Sequence, residues 1–178
     1  MSLDMPELFK PQLRAVLRAA AAGNLKAMFP MVLDVEELRA ARRIPDECRE
    51  ELDGEGKEAG PLELGVMVET PAAAICAAEL AQEVAFFSIG TNDLIQYTLA
   101  ANRGNERLRH LQSADHPAVL ELIKYTCEAA RRAGIWVGVC GEAAGEPALI
   151  LKLLELGVSE LSMSAPSIPR AKKVISEL

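Results

Sequence analysis

Five short apolar runs of strand length alternate with longer segments of helical periodicity, and this alternation limits the fold more than any other feature of the chain. The runs are residues 25–33 (LKAMFPMVL), 62–68 (LELGVMV), 84–89 (VAFFSI), 135–139 and 160–163. Before the first run, residues 7–22 place Leu8, Leu13, Val16 and Leu17 on one helical face, with Pro11 near the first turn and Gly23-Asn24 as the stop. After it, Asp34 is set to cap a helix with Glu37 at the capping-box position. That helix is expected to run towards Pro45 and resume to about residue 57. Thr70-Pro71 opens an Ala-rich helix, and residues 94–100 follow as another. A long helix over 117–133 closes on Gly134, a helix over 147–156 closes on Gly157, and residues 169–178 form the last. Strands joined by crossover helices run parallel, so the fold class is α/β. The near-continuous apolar character of the runs predicts that helices bury both faces of the sheet.

Composition narrows the function. The chain has 178 residues, 50% of them hydrophobic and 25% charged, which suits one domain with its own core. Lys and Arg number 19 against 26 Asp and Glu, a net charge of −7 that argues against a nucleic-acid partner. No apolar stretch approaches the ~18 residues of a membrane span. Cys48, Cys76, Cys127 and Cys140 lie far apart with only two histidines, which suits neither a zinc cage nor a disulfide scaffold. A cytoplasmic setting is the expectation. Residues 1–4 are set aside as a cloning remnant, and residues 5–178 are read as the domain.

Polar residues collect just past the strand ends: Glu69, Asn92-Asp93, Cys140 with Glu142, and Ser162 with Ser164. In parallel α/β proteins these ends share one face, where active sites are built. Glu69 and Asp93 offer two carboxylates, a set that suits a hard divalent ion such as Mg²⁺. They read equally as a strand-end charge and a helix cap. Asn92 is suited to positioning a phosphate or to an Asx turn. Arg103 carries a planar guanidinium suited to phosphate or carboxylate, although taken alone it reads more readily as a solvated surface charge. Cys140 is either a small buried hydrophobe or, as an unactivated thiol, a proton donor. Spacing does not choose between these.

Residues 65–74 (GVMVETPAAA), 86–100 (FFSIGTNDLIQYTLA), 102–105 (NRGN), 140–145 (CGEAAG) and 161–172 (LSMSAPSIPRAK) resemble phosphoenolpyruvate–protein phosphotransferase, enzyme I of the bacterial sugar phosphotransferase system. The likeness is to its C-terminal phosphoenolpyruvate-binding domain and runs from about Met5 to the end of the chain. It implies an incomplete (β/α)8 TIM barrel of about five βα units. It also implies phosphoryl transfer from phosphoenolpyruvate to a protein histidine, and on to the phosphocarrier HPr, with release of pyruvate. By the same likeness Glu69 and Asp93 would hold Mg²⁺, Asn92 and Arg103 the phosphoryl group, and Cys140 would protonate the enolate carbon. Gly141 would leave room for substrate. A homodimer is implied as well.

The family barrel has eight strands, so about the first three have no counterpart here, and two arginines that grip phosphate and carboxylate belong to them. Arg14, Arg18 and Lys26 are not replacements. The family's phosphohistidine motif is absent, and both His110 and His116 read as structural. The chain is therefore read as a fragment, inactive alone, with open sheet edges that invite association or a distorted closure. Pyruvate phosphate dikinase and phosphoenolpyruvate synthase share the glutamate, the Asn-Asp pair and the cysteine. A metal-dependent aldolase of the same superfamily, or a non-catalytic assembly fragment, are the other readings.

Overall fold

The computed structural model describes residues 5–178 except Arg103. Its framework is one parallel sheet of β1 (Lys26–Phe29), β2 (Glu63–Val68), β3 (Phe86–Gly90), β4 (Trp136–Cys140) and β5 (Glu160–Leu161). The spatial order is β1-β2-β3-β4-β5, the order of the sequence. A doubly wound sheet would reverse direction at a switch point; this one does not, so its strands form a successive arc of a barrel. β1 and β5 are not paired with each other, so the arc stays open.

Helices cover one face of the arc, not both as the apolar runs predict. Val66, Val68, Phe87, Ile89, Val137 and Val139 are buried in one core with Leu38, Ala77, Leu80, Val119, Ile123 and Leu153 from the helices. Alternate residues point the other way, towards the barrel interior. There Phe86 stacks on its register partner Trp136, with ring centroids 4.6 Å apart and planes 7° apart. The Lys26 ammonium sits 5.7 Å from the Trp136 ring centre and pairs with Glu63. The interior face thus carries aromatic, polar and charged groups while the outer face is aliphatic.

The helices are α1 (Pro6–Ala20), α2 (Val35–Gly54), α3 (Pro71–Ile75), α4 (Ala77–Leu80), α5 (Thr91–Leu99), α6 (Pro117–Ala133), α7 (Pro147–Glu155) and α8 (Ile168–Ser176). Three helices and one strand differ from the sequence reading. Pro45 is buried inside an unbroken α2, so packing overrides the missing N–H. The Ala-rich helix divides at Cys76, whose backbone leaves the helical region. α5 begins at Thr91, which puts Asn92 and Asp93 in its first turn rather than before it. The first strand stops at Phe29, and Met31 takes a left-handed φ of 55°.

Other local signals hold. Asp34 accepts from the Glu37 N–H at 2.9 Å, and the Glu37 carboxylate accepts from the Leu33 N–H at 2.9 Å. α1 and α2 share a second apolar cluster of Leu13, Leu17, Ile44, Cys48 and Leu52, flanked by bonds from Lys10 and Arg14 to Glu51. Among the described residues no helix is long and apolar enough to cross a membrane. Leu52→Ala, at a fully buried position, is expected to cost 2–5 kcal/mol in urea unfolding, against about 1 kcal/mol for loss of the cap in Asp34→Ala. Equal costs would show that α1 and α2 are not tied to the cooperative core.

Candidate functional site

Parallel register sets the site. Val68 pairs with Ile89, Ile89 with Val139, and Gly90 with Cys140. Glu69, one residue past Val68, is therefore level with Gly90 and Cys140, and Ser162, one past Leu161, extends the same row. All four follow the interior-facing parity at the C-terminal rim of the arc.

Glu69 is 4% exposed. Its Oε1 accepts the Met31 N–H at 2.7 Å, and the Asp93 carboxyl, from the first turn of α5, lies within hydrogen-bonding reach. Burial, foremost, pushes the Glu69 carboxyl above its ordinary range, the Met31 N–H opposes this, and the negative charge of Asp93 adds to it. A β-carbon at Gly90 would stand 2.9 Å from both Cβ and Oε2 of Glu69, so only glycine lets that side chain lie across β3. Two hard oxygen donors crowded together, one of them buried, are suited to a divalent cation that keeps water and substrate oxygens in its remaining positions. Nitrogen and sulfur donors of the kind zinc favours are not gathered here, and no cluster of three or more His, Cys, Asp or Glu side chains forms a metal cage among the described residues.

Asn92 does not make an Asx turn. Its Oδ1 accepts the Glu142 N–H at 3.3 Å, tying α5 to the loop after β4 and leaving the amide NH₂ as the donor end. The same residue borders two cavities. One of about 380 Å³ is lined by Gly141, Ser162, Ser164 and Ser167, and one of about 460 Å³ by Gln96, Gln112 and Glu146. Cys140 faces the interior, accepting from the Ser88 hydroxyl at 3.5 Å while its thiol donates to the Ile89 carbonyl at 3.5 Å. Thr91 Oγ1 donates to the Cys140 carbonyl at 2.9 Å.

Gly141 lines the cavity of about 380 Å³, and its bare Cα is also required by its neighbours within the chain. Its φ is 100°, and a β-carbon there would meet Thr91 Oγ1 at 2.6 Å and Asn92 Oδ1 at 3.2 Å. The missing side chain makes room for α5 to close against β4. Arg103 lies outside the described residues. His116 is the N-cap of α6, its Nδ1 accepting the Ala118 N–H at 3.2 Å, and His110 is exposed in a short 3-10 helix over Glu106–Leu111. Arg14 is held by Glu51 and Glu55, away from the rim. Structure thus unites Glu69, Asp93, Asn92 and Cys140, and adds Ser88, Thr91 and the Met31 N–H. Ser88 has the parity of Gly90 in the run VAFFSI, which was a usable signal; Met31 had none.

Because its folded carboxyl is raised, Glu69 leaves the fold undisturbed below the unfolded value near 4.5 and costs stability as pH rises through the raised value. Glu69→Gln in the presence of EDTA is therefore expected to raise Tm at pH 7 by roughly 2–4 °C, the shift produced by about 1 kcal/mol in a chain of this size. The gain should vanish below pH 4. A lower Tm at pH 7 would show that the buried charge is compensated within the chain.

The crystal structure of a citrate lyase from Burkholderia xenovorans superposes with a TM-score of 0.67 at 20% identity, over 93% of this chain and 53% of that one. Haloferax volcanii malate synthase, in a pyruvate/acetyl-CoA ternary complex, gives 0.69 at 16% identity over 94% of this chain and 46% of that one. These likenesses speak to the barrel-type fold alone. The protein named phosphoenolpyruvate-protein phosphotransferase in Haemophilus influenzae is 52% identical over 98% of this chain. Its namesake in Staphylococcus carnosus is 51% identical over the whole of it. The chain spans about 31% of the length of each. The model of the family described as PEP-utilising enzyme, PEP-binding domain, matches residues 1–178. The alternating strands, the carboxylate pair at the rim and this full-length match agree: the chain belongs to the phosphoenolpyruvate-binding domain family of phosphoenolpyruvate-utilising enzymes.

Proposed function

We propose that this domain binds phosphoenolpyruvate with Mg²⁺ and serves the transfer of its phosphoryl group to a protein histidine. The observation that carries this reading is the contact of Glu69 with Asp93, on the row that also holds Cys140. Two adjacent carboxylates at the rim of a parallel sheet repel any anion unless a cation lies between. Mg²⁺ held by Glu69 and Asp93 would supply charge neutralisation for the phosphoryl and enolate oxygens.

The chain's own groups account for the rest. The Asn92 NH₂ donates to a phosphoryl oxygen while its Oδ1 keeps the loop after β4 in place. Arg103 offers a planar fork to the phosphoryl group. Cys140 gives its proton to the methylene carbon of the enolate, which yields pyruvate. The S–H bond breaks, a C–H bond forms, and the electron pair stays on sulfur. The names of the close relatives support a protein as phosphoryl acceptor. A carrier such as HPr, service to sugar transport in the cytoplasm, and a homodimer complete the reading.

Calorimetric titration of this chain with phosphoenolpyruvate tests it. Binding is expected with Mg²⁺, weaker than micromolar, and absent in EDTA. Glu69→Ala and Asp93→Ala should abolish it, whereas Cys140→Ala should leave affinity within about threefold, since it removes a proton donor and no ligand. Arg103→Lys should weaken binding about tenfold, the equivalent of one charge-assisted hydrogen bond. Equal binding in EDTA, or undiminished binding by Asp93→Ala, would overturn the proposal.

A further inference from the structure

We infer that Ser88 is the positioning residue for the Cys140 thiol: its hydroxyl holds the sulfur on the interior rim and stabilises the thiolate left when the thiol gives up its proton. The inference rests on the reading of Cys140 as proton donor and extends it to a residue whose part in the reaction is otherwise unassigned.

The geometry is specific. Ser88 lies on β3, 7% exposed and two residues before Gly90, so it shares the interior face with Gly90 and Cys140. Its hydroxyl donates to Cys140 Sγ at 3.5 Å, and the thiol proton points to the Ile89 carbonyl at 3.5 Å, a contact that cannot persist once the proton is gone. The hydroxyl contact can persist, and it strengthens when the acceptor becomes charged. The charged groups that face this row among the described residues are Glu69 on β2, Asp93 on α5 and Glu160 on β5, whose Cβ and Oε1 lie 3.5 Å from the β-carbon position of Gly138. All are carboxylates, which when ionised accept hydrogen bonds and donate none to the sulfur. Ser88 supplies a fixed dipole in the opposite sense.

The proton balance closes with water as the only further reagent. The S–H bond breaks as the enolate carbon gains its C–H bond, and the sulfur keeps the electron pair beside the Ser88 O–H. Water then returns a proton to sulfur before the next turnover. Ser88 neither gains nor loses a proton in the sequence. It acts through Cys140.

Iodoacetamide alkylation of Cys140 in this chain, followed by peptide mass spectrometry, tests the inference, because only the thiolate reacts. Ser88→Ala is expected to react three- to tenfold more slowly at pH 7.5, and at the parent rate at pH 10.5, where ionisation no longer limits. Ser88→Thr should react as the parent does, and Ser88→Val, matched in shape to Thr but without the hydroxyl, should react slowly. A parent-like rate for Ser88→Ala or Ser88→Val at pH 7.5 would overturn the inference. So would equal slowing at both pH values, which would mark a packing role. These rates do not depend on phosphoenolpyruvate, so loss of ligand binding in the calorimetric titration would sink the functional reading and leave this one standing.

Discussion

The buried carboxylate of Glu69 is the constraint around which the rim is built. A charged group removed from water needs compensation, and the described partners are one backbone N–H from Met31 and a second carboxyl from Asp93. One donor against a like charge is an unfavourable arrangement for folding alone. It becomes favourable in the presence of a cation, which is why the pair carries the functional reading. The left-handed turn at Met31 and the bare Cα of Gly90 both serve the placement of this one side chain. Each is a local cost of placing that carboxylate.

Sheet topology decides what can meet Glu69. With the strands in sequential parallel order, consecutive strand ends advance along one rim, and residues far apart in sequence become neighbours. The helices take the outer face, where Val, Ile, Leu and Ala side chains fill the core. The inner face is thereby released from core packing and is open to Ser88, Cys140, Glu160 and the Lys26–Trp136 contact. Polar groups and core packing are thus divided between the two parities of the same strands. Thr91, Asn92 and Gly141 then lock the start of α5 to the end of β4 through backbone groups, which fixes the row holding Cys140.

Much of this was legible without coordinates because it depends on local rules. Short apolar runs, the Asp34 cap, Pro117 at a helix start and glycines at helix ends act within a few residues, and the element order follows from them. The site was legible in part for the same reason: Glu69 follows directly on β2, Cys140 ends β4, and Asp93 lies three residues past β3. Apolar runs do not by themselves require helices on both faces. In the short strands of a barrel arc, glycine, methionine and aromatic residues serve the interior, and these read as apolar without being covered by helices. Pro45 stays inside α2 because the penalty for a proline within a helix is overridden by packing that is invisible in sequence.

The sequence by itself determined the alternation of elements, their parallel sense and the identities of the groups placed at strand ends, since chain connectivity and side-chain periodicity act over one or two turns. Only the tertiary structure decided that Glu69 is buried against Asp93, that Asn92 spends its carbonyl on the Glu142 N–H, and that Cys140 shares its sulfur between Ser88 and Ile89. The physical reason is register: the level at which neighbouring strands pair sets which side chains share a row, and that level is fixed by packing between segments tens of residues apart.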